Sequence, residues 1–195
     1  MTIRKGEEWG CSVQRPDRLV VAESDRALAA LVASGQGNPL GVSGGDVFHS
    51  VGSPARRDPM QRLPMDLLHV EADGARHLAV AHVLVRRSWW RGEIVVVMNV
   101  DHLGEWNIAP RAHPNDGRFD VVEVAPSMSI RHRLQARRRL PQGTHVPHPD
   151  IRTRTGMEAS WEFGRPQRLW IDGESIGSVR VLTVAVEPDA FAIHV

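Results

Sequence analysis

After Met65 this chain is divided into short apolar segments separated by turn-forming and charged residues, and that segmentation limits the fold more than any other feature. The run Ile94 to Met98 has the length of a strand, and no apolar run approaches a membrane span. The predicted strands are Met65–Val70, His77–Val85, Glu93–Val100, Glu105–Ala109, Phe119–Val124, Ala159–Phe163, Arg168–Ile171, Val179–Val186 and Ala190–His194. Asp73-Gly74, between the first two, is a hairpin signal. The continuous apolar content of Glu93–Val100 predicts a central strand covered on both faces. One helix interrupts the series, Ser127 to Arg139, before the turn at Pro141. Regular short strands of this kind predict a sandwich of antiparallel sheets.

The first third reads differently. Arg18–Ala22 is a short strand. Ser24 is placed to cap a helix over Asp25–Ser34, which Gly35 ends. Leu40–Asp46 is a glycine loop, a second short helix spans Asp46–Val51, and Ser53–Pro64 reads as an exposed loop. The expected fold class is therefore mainly β with some α. A short N-terminal α/β fragment over residues 1–60 precedes an antiparallel β-sandwich over residues 61–195. At 195 residues with 42% hydrophobic content the chain can bury a substantial core and is not disordered. Cys11 is the single cysteine, so neither a disulfide framework nor a cysteine zinc site can be built. The start carries no apolar signal segment, so a cytoplasmic location is expected.

Three polar clusters carry candidate chemistry. In Trp170-Ile-Asp-Gly-Glu174, Asp172-Gly173 can be a hairpin turn alone. Alternatively, Asp172 is a general base and Glu174 orients it or holds a metal, since side chains two apart in an extended segment share a face. In Ala109-Pro-Arg-Ala-His-Pro-Asn-Asp-Gly-Arg-Phe-Asp120, Asp116 with nearby backbone carbonyls can hold a hard cation, or the stretch is a polar turn. His113 is an isolated imidazole, which is more often structural than a zinc ligand. In Ser43-Gly-Gly-Asp46, amides at a helix start suit phosphate.

Taken in order, these clusters resemble the bacterial diacylglycerol kinase family of lipid kinases, related to sphingosine kinases. The carrying residues are the run Val97 to Val121, Gly143-Thr-His145 and Ile171-Asp-Gly-Glu174. The resemblance implies a nucleotide-binding α/β domain, a C-terminal β-sandwich and an active site between them. It implies Asp172 as catalytic base, Glu174 as its partner in the metal network, and Asp46 as a further active-site acid. Asp116, with the carbonyls of His113 and Arg118, matches a structural Mg²⁺ site. Ser43-Gly-Gly-Asp-Val-Phe-His-Ser-Val-Gly52 matches a second family segment, which makes Ser43 and Gly44 candidate cofactor-binding residues. Asp25 falls where the family has its glycine-rich nucleotide loop. Glu23 and Arg26 stand there in place of glycines, and Val42 replaces another. A carboxylate and a guanidinium where backbone amides should meet phosphate argue against ATP binding in the family manner. The expectation is a lipid- or partner-binding relative without kinase activity. The alternative is an active Mg²⁺/ATP-dependent lipid kinase completed by oligomerisation or a partner chain.

Charge patterning adds a partner class. Net charge is +1, which excludes a globally basic nucleic-acid binder. Lys5 is the only lysine, so anion recognition falls to arginine. Seven arginines lie between Arg131 and Arg154, opposed only by Asp150. This stretch is either a solvated helix face or a patch for an anionic lipid surface, consistent with peripheral membrane contact. Trp89 and Trp90, set among Arg86, Arg87 and Arg91, belong to the core or to an interface, including one between copies of the chain.

Overall fold

The computed structural model describes residues 8–35, 37–55 and 58–195. The N-terminal elements are β1 (Cys11–Val13), β2 (Val20–Ala22), α1 (Asp25–Ala33), β3 (Leu40–Val42) and α2 (Gly45–Ser50). Ser24 caps α1 as predicted, its Oγ accepting the Ala27 N–H at 3.2 Å. The remaining strands are β4 (Met60–Ala72), β5 (Ala75–Ala79), β6 (His82–Arg86), β7 (Ile94–Met98), β8 (His102–Leu103), β9 (Trp106–Asn107), β10 (Phe119–Val124), β11 (Ile151–Gly156), β12 (Glu158–Ile171) and β13 (Glu174–His194). Helix α3 (Ile130–Arg139) runs into a 3₁₀ turn at Leu140–Gln142.

Eleven of these strands form one hydrogen-bonded sheet in the order β1-β4-β13-β12-β6-β7-β10-β11, with β5 joined to β4 and β2 joined through β3 to β13. All pairings are antiparallel except β2–β3 and β3–β13. One core cluster draws Leu68 from β4, Leu182 from β13, Leu169 from β12, Val83 from β6, Val97 from β7 and Phe119 from β10. A flat sheet that wide could not bury them together, so it folds over them as a sandwich. The predicted antiparallel sandwich is thus the observed architecture.

Strand β7 shows why the sequence there is apolar throughout. Val95 and Val97 enter the central core, while Ile94, Val96 and Met98 enter a second cluster under α3. Strand β4 divides its work along its length. Leu63, Met65 and Leu67 face the N-terminal helices, and Leu68, Val70 and Ala72 face the central core. The N-terminal elements continue the same sheet, since Leu40 and Gly41 pair with Ile193 and His194, and β1 pairs with β4.

Several boundaries differ from the sequence reading. The predicted exposed loop Ser53–Pro64 overlaps β4 from Met60, because β1 and the far end of β13 supply pairing partners that no local window contains; Arg56 and Arg57 lie outside the described residues. Ala159–Phe163 and Arg168–Ile171 belong to one strand, β12, with a register shift between Glu162 and Gln167. Val179–Val186 and Ala190–His194 likewise belong to β13, whose register shifts between Glu187 and Phe191. The return strand His77–Val85 is broken at Val80-Ala81 into β5 and β6. Glu105–Ala109 keeps only the two residues of β9. Strand β11 escapes prediction because Ile151 is its one buried side chain.

Candidate functional site

The break between β5 and β6 creates a corner, and an acid occupies it. Asp172 and Gly173 form the two-residue loop joining β12 to β13, both with positive φ (48° and 80°). This is the hairpin geometry of the Asp-Gly signal. The same loop delivers the Asp172 carboxylate to three backbone amides. Oδ2 accepts Val80 N–H at 2.9 Å, and Oδ1 accepts Ala81 and His82 N–H at 2.9 and 3.0 Å. In return the Asp172 amide donates to the His82 carbonyl at 3.0 Å. Burial pushes the Asp172 pKa up, while His82 and the three amides oppose that shift.

Two more predicted acids converge here. Asp46, in the first turn of α2, places Oδ2 3.3 Å from His82 Nδ1 and accepts the Gly104 N–H on Oδ1 at 2.8 Å. Asp25, in the first turn of α1, accepts Asp46 N–H at 2.6 Å and Val47 N–H at 2.9 Å. Burial raises its pKa to about 7 against those amide bonds, and the charges of Asp172 and Asp46 add to the rise. His82, enclosed by these acids, is held below its ordinary value by burial despite both neighbouring carboxylates. Glu174 stays outside this group and pairs with Arg26 of α1.

Beside the predicted phosphate cradle at Ser43-Gly44, the Asp46 and Val47 amides meet a carboxylate. These two amides, in the first turn of α2, receive the Asp25 carboxylate. A Cβ on Gly44 would lie 2.4 Å from the Glu23 carbonyl oxygen, and one on Gly45 would lie 2.5 Å from Asp25 Oδ1. Ser43 Oγ turns to the Ala22 carbonyl at 3.4 Å.

The predicted cation site forms a second cluster. Asp116 accepts the Arg118 N–H at 3.0 Å, and the His113 carbonyl accepts the Asp116 N–H at 3.3 Å. Burial raises the Asp116 pKa. Asp120 is pushed up to about 6 by burial and by the Asp116 charge, only partly offset by Arg111. Burial lowers the His113 pKa, and its ring packs edge-on to Trp9. Two half-buried carboxylates, with the charge of Asp116 raising the pKa of Asp120, suit a hard divalent cation.

Sequence reasoning missed the residues that connect the two clusters. Asp66 is fully buried and accepts Gly117 N–H at 2.7 Å, Asp189 N–H at 2.9 Å and Asn115 Nδ2 at 3.3 Å. Asn99 Nδ2 bridges the Asp66 and Val80 carbonyls at 3.0 and 2.8 Å, linking the cation turn to the Asp172 corner. The available signal was a polar residue inside an apolar strand, at Asp66 and at His82.

An apolar pocket of ≈ 70 Å³ lies under α3. Trp89, Trp90 and Trp106 form one wall, Ile94 and Val96 of β7 the floor, and Ala136 of α3 part of the roof. Arg86 lies 4.3 Å from the ring centroids of both Trp89 and Trp170. Arg137 spans Trp90 and Trp106 at 5.6 and 5.5 Å. Outward from the roof, Ile130 and Leu134 are 52% and 40% exposed, one helical turn apart among the arginines.

Residues 64–195 match the family described as the YegS C-terminal NAD kinase beta sandwich-like domain. No curated protein matches the chain. A solved candidate diacylglycerol kinase from Bacillus anthracis str. Sterne is similar over 90% of this chain and 77% of its own, with TM-score 0.66 and 12% identity. Another solved structure, described as a diacylglycerol kinase from the same organism, is similar over 90% of this chain and 75% of its own, with TM-score 0.60 and 14% identity. At such identities the likeness is one of fold.

Proposed function

The chain belongs to the family of YegS C-terminal NAD kinase beta sandwich-like domains, and from that premise we propose that it binds anionic lipid through α3 without transferring phosphate. The observation that carries this reading is the surface of α3. Ile130 and Leu134 stand exposed among Arg131, Arg137, Arg138 and Arg139, on the helix whose Arg133, Ala136 and Arg137 line the tryptophan pocket. Arginines attract the anionic headgroup, the two exposed aliphatic side chains enter the acyl boundary, and the pocket accepts the end of a chain. No helix among the described residues is long and apolar enough to cross a membrane, so contact through α3 is peripheral.

Two occupied carboxylate sites support the absence of phosphoryl transfer. Asp25 occupies the Asp46 and Val47 amides in the first turn of α2, and Asp172 is 7% exposed with three amide donors on its carboxylate. A general base must reach the substrate hydroxyl. Here Asp172 closes the β5–β6 corner instead. Asp116 with the His113 and Arg118 carbonyls would hold Mg²⁺, which when bound neutralises the paired carboxylates and braces the turn.

Co-sedimentation with phosphatidylglycerol vesicles tests the lipid half. Binding at low salt, a blue-shifted tryptophan emission and little binding to phosphatidylcholine are expected. Ile130→Ser/Leu134→Ser should weaken partitioning at least about tenfold. Failure of the unaltered protein to bind the anionic vesicles would overturn this reading. Incubation with labelled Mg·ATP and diacylglycerol tests the other half, and a labelled lipid product would overturn it.

A further inference from the structure

One set of ligating side chains converges outside both acid clusters. His132 lies in the first turn of α3, and His148 and Asp150 lie in the segment leading into β11. Asp150 Oδ2 is 3.9 Å from His132 Nδ1 and 4.0 Å from His148 Nδ1. The two imidazoles meet edge to face with centroids 5.3 Å apart. One ligand atom from each of the three residues lies within 4.8 Å of the others, and this is the one such histidine, cysteine or carboxylate group among the described residues.

We propose that His132, His148 and Asp150 bind a divalent transition metal of the Zn²⁺ class, with the remaining coordination positions left to water. Two imidazole nitrogens and one carboxylate oxygen suit borderline cations, whereas Mg²⁺ and Ca²⁺ favour all-oxygen sites. The donors reach solvent, with side chains 48%, 19% and 29% exposed in the order His132, His148, Asp150, so an ion enters without unfolding. Tetrahedral ligands with bonds near 2.0–2.1 Å sit about 3.4 Å apart, so the Asp150 carboxylate and each imidazole draw together by roughly half an ångström.

The backbone beneath them is already tied. Ser129 Oγ accepts the His132 N–H at 3.2 Å, Ala125 N–H donates to the Asp150 carbonyl at 2.9 Å, and Ile151 N–H donates to the His148 carbonyl at 3.1 Å. His148 Nδ1 accepts the Asp150 N–H at 3.0 Å, which fixes the tautomer with its lone pair on the nitrogen nearer the carboxylate. The metal takes that lone pair from the amide. Asp150 is also the single carboxylate between residues 131 and 154, and its Oδ2 lies within 4.0 Å of both imidazoles. A bound ion staples α3 to the segment ahead of β11. The site is independent of the lipid reading.

Titration of the metal-free full chain with Co²⁺, followed by its visible absorption, and with Zn²⁺ by calorimetry tests the site. One equivalent is expected to bind, with slower amide hydrogen exchange across α3. His148→Ala and Asp150→Asn should each weaken binding by about tenfold or more. His132→Ala, at an exposed position, should do the same with the far-UV spectrum unchanged. Absence of binding at about 1 mM metal would overturn the proposal. Equal affinity in all three variants would also overturn it by placing the ion elsewhere.

Discussion

Asp25 is the residue on which the N-terminal corner turns. Its carboxylate does for α2 what a capping side chain does within one helix, although it comes from α1, 21 positions earlier. Gly45, at φ +90°, leaves room for that carboxylate. The arrangement has a pH signature whose sign is fixed. The pKa is raised from 3.8 when unfolded to about 7 when folded, so the folded state binds the proton more tightly. Stability from this group is fully present below pH 4 and is lost as pH rises toward 7. Relative to Asp25→Asn, the unaltered protein should lose roughly 3 kcal/mol between pH 5 and pH 8. Urea midpoints of both proteins at the two pH values measure this, and parallel shifts in the two would refute it. His82 and Asp66 show the same logic of polar side chains placed inside apolar strands. Their own sequence positions reveal that they are unusual but not what they touch.

Among the elements, α3 depends most on an anchor. Ten residues of low hydropathy make a marginal helix alone. Arg133 holds it by donating to four carbonyls: Met128 at 3.1 Å, Trp89 at 3.4 Å, Gly92 at 2.5 Å and Ala125 at 2.9 Å. Arg133→Ala would leave buried carbonyls without donors. It should cost about 2–4 kcal/mol, with faster hydrogen exchange concentrated in α3 and the tryptophan loop. Unchanged exchange there would show that apolar packing alone holds the helix. The strands need no such device. Strand β7 is specified by two covered faces, and β12 and β13 absorb their proline and glycine interruptions as register shifts rather than ending.

On the scale of the molecule, the N-terminal elements and the sandwich share backbone ladders and one apolar cluster. Met65, Leu67, Val80 and Ile193 pack with Leu28, Val42 and Val47. Unfolding should therefore be a single cooperative transition, with coincident midpoints from tryptophan fluorescence and far-UV dichroism. Two separated transitions would show that the first 50 residues fold independently. Deleting residues 1–52 should yield a poorly soluble protein, because the buried face of β4 and the end of β13 would meet water.

Local information determined much of this protein. Alternation and apolar runs placed β7, β10 and the cores of β4, β12 and β13. Two of the three Asp-Gly pairs, Asp73-Gly74 and Asp172-Gly173, marked hairpins that adopt positive φ at both residues, and Ser24 and the arginine-rich stretch marked α1 and α3. These features depend on neighbours within a few positions, which is where propensity, capping and turn chemistry act. Pairing across the sheet was not legible, because a strand's edge bonds to whichever edge the chain brings back. That is why β11, the start of β4 and the union of the split strands appeared only in the fold. The acids Asp25, Asp46 and Asp172 stood out by motif, yet their partners did not. Asp172 meets Val80, Ala81 and His82 across 90 or more positions. Only tertiary structure decides which amides a buried carboxylate satisfies, because burial makes that choice energetically compulsory while leaving no mark in the local sequence.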